Sequence, residues 1–136
     1  MQNKKYKKIT TIEHVLKAKG IADLAVIDAM FAGVPAEFRE DQKKSFIISL
    51  IASAINGDWQ ADWDNTDQNK YYPWYWVEEK ESGSGVALSL DVVGCDFAHA
   101  DVAPRHVFET REQAAHAAKY FQSFYESYYS KSNSEA

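Results

Sequence analysis

Four carboxylates, Asp58, Asp62, Asp64 and Asp67, crowd into ten residues around Trp59 and Trp63. Acidic side chains at that density can hold a hard cation such as calcium through oxygen ligands. The spacing fails the calcium-loop pattern. Counted from Asp62, the sixth position is Asp67 where glycine is needed, and the twelfth is Pro73 where glutamate is needed. Aspartates that bond their own backbone to build turns account for the run instead. No metal ligand is assigned.

Cys95 with His99, Asp101 and His106 invites a cysteine–histidine nucleophile. The loop that carries them has no recognisable signature and no evident oxyanion hole. A small apolar cysteine at a strand end is the simpler account. His99 and His106 lack a third ligand at zinc spacing. His116 falls on the polar side of the last expected helix, near Glu112 and Lys119, as a solvated residue; His14 has no partner signal. No catalytic residue and no cofactor is assigned, and the chain reads as a non-enzyme.

The strongest chemical signal is aromatic. Trp59, Trp63, Tyr72, Trp74 and Trp76 lie within eighteen residues. On a strand, Tyr72, Trp74 and Trp76 share one face by alternation. An exposed row of this kind stacks on bases or forms a protein-interface hot spot. The same rings can instead close a core beneath helices. Both readings stand on the sequence.

These residues need elements to position them. Thr10 and Glu13 fit a capping box and Gly20 a left-handed stop, which predicts a helix over 11–19. Residues 22–31 are apolar at helical spacing. Pro35 suits a first helical position, and Asn56-Gly57 a helix end. Between them, 36–56 reads as the longest helix, with Phe46, Ile47, Leu50, Ile51 and Ala54 inward and Ser45, Ser49 and Ser53 as a stripe beside them. Residues 71–79 and 86–93 read as an antiparallel hairpin, and 106–108 as a short third strand. Thr110 and Gln113 form a second capping box, opening a helix over 110–128. The expected class is therefore α+β: a small antiparallel sheet covered on one face by the helices 36–56 and 110–128. The two short N-terminal helices pack at its end.

The chain has 136 residues, 46% of them hydrophobic, which suits one domain with a real core. Residues 9–129 are that domain, 1–8 a basic flexible tail and 130–136 a frayed tail. Formal charge is −5; setting aside Lys4, Lys5, Lys7 and Lys8 leaves −9 on residues 9–136. An acidic body repels phosphates and disfavours general nucleic-acid binding. With one cysteine no internal disulfide forms, which fits a reducing compartment. No apolar run approaches a membrane span. MQNKKYKK lacks the apolar segment of a signal peptide, which places the chain in the cytoplasm.

One ordered set of motifs is distinctive: Asn56-Gly57-Asp58-Trp59, Asp62-Trp63, Lys70-Tyr71-Tyr72-Pro73-Trp74-Tyr75, a Gly-rich turn, then Arg105-His106-Val107-Phe108-Glu109-Thr110 and an Ala-rich helix with aromatic residues at its end. Over about residues 50–128 this resembles a group of uncharacterised proteins of phages and prophages from gut Bacteroides-type bacteria. Tyr75, Ala61 and Val107 stand where that group carries phenylalanine, proline and cysteine. The resemblance implies a genomic setting and no activity. It keeps Arg105, which either pairs with an acid of the aromatic loop or holds a ligand carboxylate or phosphate. The expected function is a phage- or prophage-derived accessory protein acting through protein–protein contact. Its candidate binding residues are Trp59, Trp63, Tyr72, Trp74, Trp76 and Arg105. The alternative is single-stranded nucleic-acid binding through the lysine tail and the aromatic row.

Overall fold

Thr11, Asp23 and Thr110 each turn a side-chain oxygen onto the backbone N–H three residues on, and so start three helices. In the computed structural model these are α1 (Ile12–Ala18), α2 (Leu24–Met30) and α4 (Arg111–Tyr120). Pro35, extended at φ −51° and ψ 139°, precedes α3 (Ala36–Asn56), and α5 (Gln122–Tyr129) follows α4. The structure describes residues 4–65, 67–79, 86–96 and 104–129, and of 74–79 and 86–96 the strand path only. Gly20 and Gly57 follow α1 and α3 at φ 72° and 66°, a conformation that other residues adopt at a cost.

The fold turns on α3. Against it pack α1, α4, α5 and a 3-10 turn at Lys4–Lys8. Ile48, Leu50, Ile51, Ala52 and Ile55 of α3 are buried together with Val15, Leu16, Ile27, Phe108, Ala114, Ala117, Phe121 and Tyr125. Leu50 and Ile51 are inward as expected, and Ile48, Ala52 and Ile55 widen the buried face, because partners meet α3 on several sides; Phe46, Ile47 and Ala54 pack at its edge, partly buried. The cap of α1 is Thr11, not Thr10, whose N–H instead meets His14 Nδ1 at 3.2 Å.

The expected α+β class is overturned: the described residues are mostly helical, and their strands form no more than a two-stranded ribbon against α4 and α5. β1 (Lys70–Glu79) and β2 (Val86–Asp96) pair with each other as a two-stranded antiparallel ribbon. Their register slips by one residue between Trp74 and Trp76. Residues 106–108 are not a strand. Phe108 makes one antiparallel bridge to Tyr71, with N–H···O contacts of 2.8 and 3.1 Å. Two features stop it there. The next hydrogen-bonded pair would set His106 against Pro73, which has no N–H. In the other direction the Thr110 N–H is taken by Gln113 Oε1 at 3.1 Å.

The single helix expected over 110–128 is likewise two. Phe121, at φ −122° and ψ 23°, separates α4 from α5 and is fully buried. Ala114, Ala117 and Ala118 are all buried in α4, whereas α5 packs against α3 with Phe124, Tyr125 and Tyr128. Small residues permit close approach and rings need more room, so the direction changes where the side chains change size.

The N-terminal segment is anchored where a flexible tail was expected. Tyr6 is 6% exposed and belongs to the core cluster. The 130–136 tail lies outside the described residues.

Candidate functional site

Three segments meet at the C-terminal end of α3: the loop 57–63, the segment 104–107 and α3 itself. Asn56 joins them. Its Nδ2 donates to the buried Val107 carbonyl at 2.8 Å, and its Oδ1 accepts from the Glu109 N–H at 3.1 Å. The side-chain amide thus occupies the place of a neighbouring strand along 107–109. Gln113 Nε2, buried, donates to the Ile55 carbonyl at 3.2 Å and ties α4 to the same helix end. Trp63 Nε1 donates to the Pro104 carbonyl at 3.3 Å and closes the loop onto the segment.

Lys70 fixes the base of this loop. It is 2% exposed, and its ammonium donates to the Asn65 and Gln68 carbonyls, both at 3.2 Å. The same ammonium stands 5.1 Å from the Trp63 ring centroid, a cation–π contact. One aspartate and one asparagine build turns here: Asp62 Oδ1 accepts from the Asp64 N–H at 3.0 Å, and Asn65 Oδ1 from the Asp67 N–H at 2.9 Å.

The result is a cleft of about 210 Å³ lined by Trp59, Gln60, Trp63 and Arg105, with Ser49, Ser53 and Asn56 of α3 along one wall. Trp59 and Trp63 are half-buried, and Arg105 is exposed. Arg105 makes no hydrogen bond or ion pair with a described residue, so the pairing expected with Asp58, Asp62, Asp64 or Asp67 is not formed. The serines of α3 are already engaged. Ser49 Oγ donates to the Ser45 carbonyl at 3.1 Å, and Ser53 Oγ accepts from Lys19 Nζ at 2.7 Å.

The structure therefore brings together three of the six residues singled out by type: Trp59, Trp63 and Arg105. Tyr72 is half-buried elsewhere, beside α5. The Tyr129 phenol is pushed above its ordinary value by desolvation first, then by the neighbouring phenols of Tyr128 and Tyr72. The side chains of Trp74 and Trp76 lie outside the described residues, as do the side chain of Cys95 and residues His99 and Asp101.

His106 packs between α3 and α5. It is 7% exposed, with Nε2 donating to the Ser45 carbonyl at 3.1 Å and its ring edge-on to Tyr128. Burial pushes the imidazole below its ordinary value, and the Ser45 carbonyl opposes this only in part. His116, expected to be solvated, is half-buried, and its Nε2 donates to the Ile9 carbonyl at 2.7 Å.

Among the described residues no helix is long and apolar enough to cross a membrane. Comparison of the chain with protein-family models, with curated proteins and with solved structures finds no match.

Proposed function

We propose that this chain is a non-enzymatic accessory protein acting through protein–protein contact, and that the Trp59–Trp63–Arg105 cleft receives a short segment of its partner. One observation carries the reading. Two indole rings and one guanidinium without a described partner line the opening, beside an α3 wall whose Ser49 hydroxyl and Asn56 amide bond inside the fold. Such a surface suits holding a ligand by stacking and by charge. Tryptophan and arginine are also the residues that dominate interface energetics. The volume is smaller than the roughly 300–1,000 Å³ of small-molecule sites, which suits one inserted side chain. Arg105 favours a carboxylate, and the indoles an adjacent apolar or aromatic group. The resemblance to phage and prophage proteins supports the setting in which that partner is met.

The test is selection of displayed random peptides on the immobilised chain. Peptides that place Asp or Glu beside an aromatic residue are expected. Their affinity should fall roughly thirtyfold in Arg105→Glu and in Trp59→Ala, with the melting temperature little changed. Peptides that bind both variants as well as the parent would place the binding surface elsewhere.

A further inference from the structure

The N-terminal turn presents a second surface, unlike the tryptophan cleft in charge. Lys4, Lys5, Lys7 and Lys8 are all exposed, while Tyr6 between them is buried. Tyr6 meets the His116 ring edge-on at 5.1 Å, His116 bonds the Ile9 carbonyl, and the Ile9 N–H returns to the Tyr6 carbonyl at 2.9 Å. The lysine backbone is therefore held at a fixed place on α4. Beside it runs an open groove of about 340 Å³ lined by Lys7 with His116, Lys119 and Tyr120, and by one acid, Glu112. Tyr120 is 44% exposed, with the Lys119 ammonium 5.1 Å from its ring centroid. Lys4, Lys7 and Lys8 make no ion pair with a described residue. Charge is thus segregated: this turn is wholly basic in a chain whose residues 9–136 sum to −9.

We propose that this surface binds single-stranded nucleic acid, with Lys4, Lys7, Lys8 and Lys119 on phosphates and Tyr120 against a base. The ligand must carry closely spaced anions, and it must offer a flat face to the exposed ring among the lysines. Single-stranded nucleic acid alternates these two features along its length. A membrane surface would call for a broad apolar face beside the lysines; Tyr6 points into the core, and Tyr120 alone is an exposed large ring among the groove's lining residues. The acidic remainder does not cancel the attraction, because at physiological salt charges are screened over about 8 Å. Anchoring through Tyr6 also lowers the ordering cost that a loose tail would meet on binding.

Fluorescence anisotropy of the full chain with a labelled oligothymidylate of about 15 nucleotides tests this. With about four phosphates neutralised, affinity should fall on the order of fiftyfold between 50 and 200 mM salt. Lys7→Ser with Lys8→Ser should flatten the logarithmic salt slope by about 1.4. Tyr120→Leu should weaken binding about tenfold at an unchanged slope. Arg105→Glu should bind as the parent does, which separates this surface from the tryptophan cleft. All these positions are exposed, and circular dichroism checks that each variant is folded. The proposal is overturned by absence of binding at 50 mM salt, by indifference to Tyr120→Leu, or by equal binding of polyglutamate. Preference for phosphatidylserine vesicles over the oligonucleotide overturns it equally.

Discussion

Asn56→Ala is the most informative single change, because one side chain joins the core helix to the candidate site. It removes two hydrogen bonds, to the Val107 carbonyl and from the Glu109 N–H. Each bond is worth about 1 kcal/mol net. The Val107 residue is only 3% exposed, so its carbonyl would be left buried without a donor, at a cost of a further 1 kcal/mol or more. Alanine returns a few tenths through helix propensity. The expected loss is about 2–3 kcal/mol, a large share of the roughly 5–15 kcal/mol that holds a typical domain. Urea unfolding followed by far-UV circular dichroism reads this directly. With a slope near 2 kcal/mol per molar, the midpoint should fall by about 1 M. Asn56→Asp sharpens the test. It keeps an acceptor for Glu109 but sets a carboxylate against the Val107 carbonyl, so at pH 7 it should be no more stable than the alanine variant. A loss below about 0.5 kcal/mol in Asn56→Ala would refute the clamp, since water or a shifted loop would then replace both bonds.

Three further outcomes follow from the buried polar groups and the helix junction. His106 is held neutral by burial, so its folded value lies below the unfolded one near 6.5. Stability from this group is full above that pH and is lost as pH falls, because the unfolded chain then binds the extra proton. Melting temperature measured from pH 8 to 5.5 should decline below about 6.5, and His106→Gln should flatten the decline. Lys70→Met leaves the Asn65 and Gln68 carbonyls without their donor and should cost about 1–2 kcal/mol, with faster proteolysis of the loop 59–69 as the companion readout. Phe121→Ala opens a cavity at the junction of α4 and α5 and should cost about 3–5 kcal/mol; calorimetry should show a fall on the order of 10–20 °C.

The divide between what the sequence discloses and what it conceals is a divide between local and non-local bonds. The box of Thr110 and Gln113 is present as read, because a cap is closed by residues three apart. Asp23 capping α2 belongs to the same class, since its partner, the Val26 N–H, is also three residues on. The third strand is a different matter. The segment 106–108 has strand composition, but a strand exists only through a partner's N–H and C=O groups. Pro73 withholds the donor on one side and Gln113 captures the N–H of Thr110 on the other. Both residues were in view, and only the register between Tyr71 and Phe108 makes them decisive. The fold class failed at that point, since without a further strand the described β-structure is one two-stranded ribbon in a mostly helical fold.

The candidate site follows the same logic. Trp59, Trp63 and Arg105 stood out by type, and their convergence depends on Asn56, legible only as a helix end, and on Lys70, legible only as part of a motif. A lysine reads as solvated unless something distant buries it. Here the backbone carbonyls of a tight aspartate-rich loop supply the ligands for its ammonium. The acidic run once suggestive of a metal loop thus wraps a cation already present in the chain. That wrapping sets Trp63 above Lys70 and against Pro104, which leaves Trp59 and Arg105 to form the rim. If this order of causes holds, Lys70→Met should weaken selected peptides as well as stability, whereas Arg105→Glu should weaken the peptides alone. Equal peptide affinity in Lys70→Met and the parent would show that the cleft does not depend on the loop's internal cation.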